Sequence, residues 1–197
     1  MIKQKGLLIV MSGPSGVGKG TVCKEYLSQN DNIAFSVSVT TRAPRPGETD
    51  GVEYFFRTEE EFINMRDNNG FLEHAYVHGK YYGTPRDVIE KRCAQGLDTL
   101  LDIDVQGALQ VKKAMPDAVL VFLLPPSMQE LEHRLRSRGT ESEENVLIRL
   151  GNAVKELSFA KDYDYLIVND TVKDSVERLS AIITAEHCRA DKCEITK

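Results

Sequence analysis

One stretch near the amino end limits the possible folds most, because an apolar run of strand length leads directly into a glycine-rich loop. Residues 7–12 read LLIVMS, and residues 13–21 read GPSGVGKGT. Gly13, Gly16 and Gly18 permit backbone angles that side chains forbid, so successive N–H groups can turn inward toward phosphate oxygens. A helix starting after the loop adds its positive end, and Lys19 can reach β and γ phosphates. The segment predicts a phosphate-binding loop. The alternative is a glycine-rich turn with an incidental lysine, which leaves the coincidence of strand, spacing, lysine and helix unexplained.

The loop departs from the common pattern GxxxxGK[ST] at its last position, where Gly20 replaces the usual hydroxyl residue. That hydroxyl normally binds magnesium, whereas Gly20 offers only a backbone N–H and Thr21 carries the next hydroxyl. Because Mg²⁺ readily keeps several of its waters, phosphate oxygens and water can fill its coordination shell. We expect magnesium near Thr21 and Asp102, held directly or through water.

Apolar runs of strand length alternate with longer amphipathic stretches along the chain. They are LLIVMS (7–12), TLLDIDV (99–105), AVLVFLLP (118–125) and DYLIVND (164–170). Strands that are apolar throughout and alternate with helices indicate a parallel sheet covered on both faces. We therefore expect an α/β fold with a P-loop NTPase-type parallel sheet core, flanked by helices and joined by right-handed crossovers.

Two regions interrupt this alternation of strands and helices. Residues 35–86 contain short alternating runs, VEYFF and FLEHAYVHGKYYG, which suit a small, mostly antiparallel lobe. Residues 126–150 are polar, rich in arginine and helical in pattern. We expect both regions to be lobes inserted into the core.

Several helix starts are indicated by capping signals. A Ser or Thr three residues before a glutamate, the capping-box spacing, occurs at Thr58–Glu61, Ser127–Glu130 and Thr140–Glu143. Thr84 and Pro85 predict a cap followed by proline at the first helical position, and Gly96 is expected to end that helix.

Size and charge exclude several classes of function. The chain has 197 residues, which fits one domain with inserted lobes, and a net charge of -5. Electrostatic binding of nucleic acid needs a broad basic surface, so we expect no nucleic-acid partner. No apolar run approaches the roughly 20 residues that span a bilayer, so we expect no membrane partner.

The amino end and the cysteines indicate a cytoplasmic protein. The sequence MIKQKGLLIVMSGPSG has no small-residue cleavage site and runs straight into the loop, so it predicts a buried strand rather than a signal peptide. The cysteines have no CxxC pair and no histidines at zinc-ligand spacing, which favours reduced structural thiols. They are Cys23, Cys93, Cys188 and Cys193.

Asp102 and Asp104 lie two residues apart at the end of a predicted strand. At that spacing both carboxylates share one face and project from the carboxyl edge of the sheet, where α/β proteins bind ligands. There they can orient magnesium-bound water or a cationic side chain beside the phosphates. The alternative is that they serve as turn or cap residues.

Two groups of arginines are candidates for binding phosphate. Arg42 and Arg45, in a segment stiffened by prolines, offer two guanidinium forks for a second phosphate group, although a solvated basic loop explains the same spacing. Arg134 and Arg138 fall on one helix face, and Arg149 on the next helix can converge with them over a phosphoryl group in transfer. The alternative for this second group is a salt-bridged surface helix.

These motifs, taken in order, resemble those of the guanylate kinase family, whose enzymes transfer a phosphoryl group from ATP to GMP. The resemblance spans nearly the whole chain, and TTRAPRPGE and YYGT are its most specific stretches. The full set is SGPSGVGKGT, FSVSVTTRAPRPGE, DGVEYFF, FLEHAYVHGKYYGT, LLDIDVQG, RLRSRGTES and IVND.

The resemblance implies a GMP site. The GMP phosphate would be held by Arg42, Arg45, Tyr54 and Tyr82, and the guanine surrounded by Ser38, Glu73, Thr84 and Asp104. Chemistry supports Glu73 as a candidate, since an ionised carboxylate can accept hydrogen bonds from guanine N1–H and N2–H. A base without these donors would leave the buried carboxylate unpaired, so such a site can favour guanine over another base by about 10⁴ or more.

The resemblance also implies an ATP site and a division of the chain. ATP would lie on the loop, formed by Gly13, Pro14, Ser15, Gly16, Val17, Gly18, Lys19, Gly20 and Thr21, with Asn169 and Asp170 near the adenine. Arg134, Arg138 and Arg149 would be the lid arginines, catalytic together with Lys19. The core would comprise residues 1–34, 87–125 and 151–197, with a mixed α/β GMP-binding lobe at 35–86 and a helical lid at 126–150.

The implied reaction needs no general base, because a GMP phosphate oxygen is already ionised near neutral pH, its second pKa being about 6. Alignment and charge stabilisation by Lys19, magnesium and the lid arginines would carry an in-line transfer. We expect ATP and GMP or dGMP as substrates, Mg²⁺ as cofactor, a place in purine nucleotide metabolism, and no obligate protein partner.

Three other functions remain to be separated from this one. Guanylate-kinase-like domains of scaffolding proteins bind phosphopeptides, but they usually lack an intact phosphate loop. A regulatory GTPase should carry an NKxD-type motif, which IVNDTVKD does not match. The form GKGT also occurs in adenylate kinases, so a kinase for another small phosphate acceptor is the third alternative.

Overall fold

A computed structural model describes residues 2–137 and 142–195 of the chain. The strands are β1 (Ile2–Gln4), β2 (Leu8–Ser12), β3 (Ile33–Phe35), β4 (Ser38–Thr40), β5 (Tyr54–Phe56), β6 (Phe71–Val77), β7 (Lys80–Pro85), β8 (Asp98–Asp102), β9 (Val119–Leu124), β10 (Tyr165–Val168) and β11 (Cys193–Ile195). The helices are α1 (Lys19–Ser28), α2 (Glu59–Asp67), α3 (Arg86–Ala94), α4 (Val105–Ala114), α5 (Met128–Ser137), α6 (Glu143–Leu157) and α7 (Val172–His187). Single 3₁₀ turns occupy Ala160–Asp162 and Ala190–Lys192.

The core is a five-stranded sheet in the order β10-β9-β2-β8-β3, and every neighbouring pair is parallel. Alternate residues of β2 enter different hydrophobic clusters. Ile9 and Met11 pack toward α1 and α7, and Leu8 and Val10 pack toward α3 and α4. The predicted parallel sheet with helices on both faces is therefore confirmed. The strand β3 was not predicted, because three residues are too few to give a pattern.

A second sheet lies within residues 38–85 and has the order β5-β4-β7-β6. The pair β4–β5 is parallel, and the pairs β4–β7 and β6–β7 are antiparallel. Helix α2 packs on this sheet through Phe62, whose ring stacks 4.4 Å from that of Phe71 and 5.1 Å from that of Tyr81. This sheet thus has a small aromatic core of its own.

A register shift in β6 directs neighbouring side chains to different places. Phe71 pairs with Pro85 and Glu73 with Thr84, so β6 advances two residues while β7 advances one. Phe71 belongs to the cluster of the second sheet, whereas Leu72 belongs to the core cluster on the α3 and α4 side. Such bulges re-aim side chains, and here Glu73 turns toward Thr84.

The helix ends agree with most of the capping predictions. Thr58 and Glu61 form a complete capping box at α2. At α5, the N–H of Glu130 donates to Ser127 Oγ at 3.0 Å. After α3, Gly96 adopts φ 77, as expected of a residue that ends a helix.

Two capping expectations have a different outcome. Thr84 does not cap α3, because Pro85 is the N-cap residue and the Thr84 hydroxyl donates to Glu73 instead. Helix α6 begins at Glu143 with Ser142 as its N-cap, which accepts the N–H of Asn145. The expected cap Thr140 lies outside the described residues.

The cysteines are free thiols, and two of them are deeply placed. Burial raises the pKa of Cys23 to about 12 and that of Cys93 to about 11, so both stay protonated at neutral pH. Among residues 2–137 and 142–195, no helix combines the length and the apolar character needed to cross a membrane.

Candidate active site

The predicted phosphate loop, residues 13–21, follows β2, and its last three residues form the start of α1. Gly13 and Gly18 adopt φ 148 and φ 101, in a region that side chains disfavour. Neighbouring atoms also exclude side chains there: a Cβ on Gly13 would lie 2.4 Å from the carbonyl oxygen of Leu123, and one on Gly18 would lie 2.7 Å from Asn169 Nδ2. The loop is therefore fixed both by its backbone angles and by what packs against it.

Lys19 extends back over the loop, where its Nζ donates to the carbonyl oxygen of Gly13 at 2.8 Å. Asp102 lies close enough to interact electrostatically with the Lys19 ammonium group. Burial raises the pKa of Asp102, and the positive charge of Lys19 offsets part of that rise. Cation and carboxylate thus share one cleft, whose lining includes Thr21 and Lys24.

Asn169, the residue after β10, holds the loop through a side-chain hydrogen bond. This buried side chain donates from Nδ2 to the carbonyl oxygen of Val17 at 2.7 Å, and its Oδ1 accepts from Ser175 Oγ at 2.8 Å. Both polar atoms of the amide are therefore engaged with protein groups. Asp170, the next residue, is exposed.

Two of the three predicted lid arginines contact the loop. Arg134 donates to the carbonyl oxygens of Val17 at 3.3 Å and Asn169 at 3.1 Å, while pairing with Glu130 at 2.7 Å. Arg149 donates from Nη2 to Ser15 Oγ at 2.8 Å. Arg138 lies outside the described residues. The surface salt-bridge alternative accounts for only part of the contacts of Arg134, since its guanidinium also reaches the loop.

Three of the residues predicted to hold the acceptor phosphate, Arg42, Tyr54 and Tyr82, come together beside the second sheet. The guanidinium of Arg42 lies 5.4 Å from the ring centre of Tyr54 and pairs with Glu48 at 2.8 Å. The rings of Tyr54 and Tyr82 meet edge to face at 6.1 Å between centroids. Glu48 also accepts the backbone N–H of Arg45 at 2.7 Å, which shapes the arginine segment as a turn. Arg42 is therefore positioned rather than free in solvent, and the Arg45 side chain is exposed.

Glu73 is a buried carboxylate at the bulge of β6, with 7% of its surface exposed. Its Oε1 accepts the hydroxyl hydrogen of Thr84 at 2.7 Å. Burial raises the pKa of Glu73, the hydrogen bond from Thr84 opposes the rise, and the negative charge of Asp104 adds to it. Ser38 begins β4 on the same sheet, opposite Tyr54 in the adjacent strand.

The two aspartates at the end of β8 do not act as a pair. The strand ends at Asp102, and Asp104 lies beyond it as the N-cap of α4, where it accepts the N–H of Gly107 at 2.8 Å. The expectation that both project from one strand face is therefore wrong, and the cap alternative is correct for Asp104. The segment 102–104 instead connects the phosphate cleft, at Asp102, with the surroundings of Glu73, at Asp104.

Comparison with known proteins fits this arrangement. The family model described as guanylate kinase matches residues 5–186. The chain belongs to the guanylate kinase family. Guanylate kinases phosphorylate GMP with ATP, and the chain is accordingly a GMP-phosphorylating transferase.

Named guanylate kinases are similar to the chain along nearly its full length. One from Caldanaerobacter subterraneus is 50% identical over 97% of this chain and 93% of its own. One from Clostridium tetani is 52% identical over 96% of this chain and 90% of its own. The crystal structure of guanylate kinase from Anaplasma phagocytophilum aligns with a TM-score of 0.75 at 38% identity, covering 98% of this chain and 92% of that one.

Within this guanylate kinase fold, three contributors to the site were missed from the sequence. Lys24 lines the phosphate cleft, and its place one helical turn after Gly20 on α1 could have indicated this. Glu48 positions both arginines, and an acid three residues after Arg45 was a usable signal. Ser175, in the first turn of α7, donates a hydrogen bond to the Asn169 amide, and no sequence pattern indicates this contact.

Proposed function

We propose that this guanylate kinase transfers the γ-phosphoryl group of ATP reversibly and in line to GMP or dGMP at the carboxyl end of β8. The observation that carries the proposal is the segment 102–104, because Asp102 lies in the cleft of Lys19 and Asp104 adjoins the buried Glu73. ATP bound on the loop and GMP bound near Glu73 would therefore lie at the two ends of this three-residue segment.

On the acceptor side, we assign the GMP phosphate to Arg42, Arg45, Tyr54 and Tyr82. Arg42 is already oriented by Glu48 and by the ring of Tyr54, so little side-chain entropy remains to be lost on binding. We assign the guanine to Glu73, with Ser38, Thr84 and Asp104 around it. Thr84 occupies one carboxylate oxygen, which leaves the other to accept N–H groups of the base.

On the donor side, we assign the ATP phosphates to the backbone N–H groups of residues 13–21 and to Lys19. Arg134, Arg138 and Arg149 would neutralise charge that develops during transfer, an effect worth about 10³ to 10⁵ in rate where arginines do this elsewhere. The contact of Arg149 with Ser15 places one of these cations at the loop. Asn169 would act on the loop backbone, and the exposed Asp170 is the better candidate for a contact near the adenine.

Magnesium is the metal that suits this site, although the protein provides few ligands. Within the described residues there is no group of three or more His, Cys, Asp or Glu side chains that could hold a metal ion. Oxygen donors are present in Asp102 and Thr21, and such hard donors fit Mg²⁺, which keeps waters and binds phosphates. The ion would supply neutralisation of phosphate charge, and Asp102 and Thr21 would hold it directly or through its waters.

Gly20 is compatible with this arrangement. A Cβ at position 20 would lie no closer than 3.9 Å to its nearest neighbour, Asp102 Oδ2. Packing therefore does not exclude a hydroxyl residue there, and the glycine leaves the space beside Asp102 open.

We further propose a cytoplasmic enzyme of purine nucleotide metabolism, with small-molecule substrates and no nucleic-acid, membrane or obligate protein partner.

A coupled ADP-release assay tests the assignment of substrates. With ATP and Mg²⁺, we expect rapid turnover with GMP and dGMP and at least about 10⁴-fold lower kcat/KM with AMP, UMP and dTMP, because only guanine presents both donors to Glu73. In Lys19→Ala we expect a loss of about 10³-fold or more in kcat with the fold retained by circular dichroism. Preference for another monophosphate, or full activity of Lys19→Ala, would overturn the proposal.

A further inference from the structure

Gly107 lies where the two carboxylates of the predicted base pocket approach one helix. It is the third residue of α4, it is buried, and its N–H donates to Asp104 Oδ1 at 2.8 Å. It has no assigned role in the site described above. Its backbone φ is not in the left-handed region, so conformation alone does not require glycine here.

Space, in contrast, leaves little room for a side chain at this position. A Cβ on Gly107 would lie 3.3 Å from Glu73 Oε2, 3.4 Å from Asp104 Oδ1 and 3.2 Å from Ile103 Cδ1. Ordinary contacts of a Cβ atom begin at about 3.4 Å, so at least two of these neighbours would have to move by a few tenths of an ångström. Ile103 presents the far end of a flexible side chain and can move easily.

Glu73 cannot move as easily, because it is restrained from two directions. Thr84 holds its Oε1 at 2.7 Å, and the bulge fixes the direction of its side chain. The next residue, His74, donates its backbone N–H to Gln110 Oε1 at 3.2 Å, which ties β6 to the second turn of α4. A methyl group at position 107 would therefore press on a carboxylate that is held in place.

We propose that Gly107 is a positioning residue for Glu73: its lack of a side chain sets how closely Oε2 lies against the first turn of α4. This proximity places the carboxylate near the positive end of the helix, which favours its ionised form. The inference rests on the proposed role of Glu73 in binding guanine. Gly107, on α4, would thus set the position of the Glu73 oxygen that accepts the guanine N–H groups.

The consequence is a specific effect on base recognition. Glu73 Oε2 is the oxygen that Thr84 does not occupy, so displacing it weakens acceptance of the guanine N–H groups. Of these donors, IMP retains N1–H and lacks the exocyclic amine. A displaced carboxylate should therefore discriminate less between GMP and IMP, while ATP binding on the loop stays unchanged.

The test compares Gly107→Ala with Gly151→Ala as a matched control. Both are helical glycines, and a Cβ on Gly151 meets nothing within 4 Å. For Gly107→Ala we expect kcat/KM for GMP to fall about 3- to 10-fold and the GMP-to-IMP preference to fall with it, since errors of about 1 Å cost about 100-fold. The KM for ATP and the thermal midpoint should match those of the wild type, and Gly151→Ala should keep wild-type kinetics.

One further variant, Glu73→Gln, separates this inference from the assignment on which it rests. If Glu73→Gln leaves GMP kinetics unchanged, the assignment of Glu73 is wrong. If Glu73→Gln impairs GMP use while Gly107→Ala keeps wild-type GMP kinetics and base preference, only the role of Gly107 is overturned.

A double-mutant cycle with Glu73→Asp provides the sharper measurement. Aspartate is one methylene shorter, so the methyl group in Gly107→Ala should cost little in that background, giving a non-additive pair. Strict additivity of the two effects on kcat/KM for GMP would contradict the inference, even if each single variant is impaired.

Discussion

At the scale of single residues, the site depends on polar groups that the protein itself restrains before substrate binds. Lys19 is held by the Gly13 carbonyl, Arg42 by Glu48, Asn169 by Ser175, and Glu73 by Thr84. Such restraint lowers the entropy that binding must overcome. In the two buried pairs, Asn169 with Ser175 and Glu73 with Thr84, it also raises the cost of removing one partner, because the other is left buried without that hydrogen bond.

Glu73→Gln should weaken the recognition of GMP. The amide keeps the size of the side chain but opposes one guanine N–H with a donor, and a hydrogen bond to a charged group is worth about 1.5–3 kcal/mol. We expect kcat/KM for GMP to fall roughly 10- to 100-fold, with the KM for ATP unchanged, in steady-state kinetics. Equal losses for both substrates would indicate general damage to the fold.

The same residue gives a pH dependence with a defined sign. The proposed guanine contact requires ionised Glu73, and burial raises the pKa of this carboxyl above its ordinary value. As the pH falls, protonation therefore begins at a higher pH than for an exposed glutamate, and kcat/KM for GMP declines with it. Glu73→Gln should lack this component, so the ratio of wild-type to variant kcat/KM should decrease toward acid pH; a constant ratio would contradict the assignment.

The sequence predicted some of these residues better than others. Lys19 and the loop glycines follow from a local pattern, and Arg42 gains its partners within one short segment. The contact of Glu73 with Thr84 depends on a bulge between paired strands, and the room left for Glu73 Oε2 beside Gly107 depends on the packing of β6 against α4. Contacts of this kind depend on register and packing, which a single sequence does not encode locally.

At the scale of elements, α6 joins regions that the sequence suggested were separate. It runs without interruption from Glu143 to Leu157, across the expected lid boundary at residue 150, and it carries Arg149 to the loop. Long apolar strands such as β2 and β9 were predicted from their continuous apolar runs. The three-residue strands β1, β3 and β11 were not, because pairing rather than sequence pattern defines them.

Asn169 lies in the connection between β10 and α7, and Asn169→Ala should weaken both the fold and the phosphate loop. The substitution removes one of the two donors to the Val17 carbonyl oxygen, which keeps Arg134, and leaves the Ser175 hydroxyl without its acceptor. These losses should lower the free energy of unfolding by about 1–3 kcal/mol. A loosened loop should also lower kcat/KM for ATP, by up to about 100-fold. Denaturant unfolding and kinetics measure the two effects.

Ser175→Ala is the matched control, because it removes the support of the amide and keeps the amide itself. We expect a smaller loss in kcat/KM than for Asn169→Ala. If Asn169→Ala keeps wild-type kinetics, the loop is held adequately by its other contacts, and the role given to Asn169 is wrong.

At the scale of the whole molecule, substrates are expected to draw the second sheet and the helices α5 and α6 over the core. Both helices already contact the loop, since Arg134 on α5 donates to the Val17 carbonyl oxygen and Arg149 on α6 donates to Ser15 Oγ. We expect the radius of gyration, about 16 Å for a compact chain of this length, to decrease when GMP and a non-hydrolysable ATP analogue are both bound. Small-angle X-ray scattering tests this, and an unchanged profile with both ligands would argue against closure.

The division of β6 between two hydrophobic clusters has a consequence for how the molecule comes apart. Phe71 and Leu72 are neighbours in the chain, yet one is packed in the second sheet and the other in the core. Melting either sheet would expose one of these two adjacent side chains to water, so we expect the unfolding of the two sheets to be coupled. The proposed acceptor site should then lose its structure together with the core and not at a lower temperature.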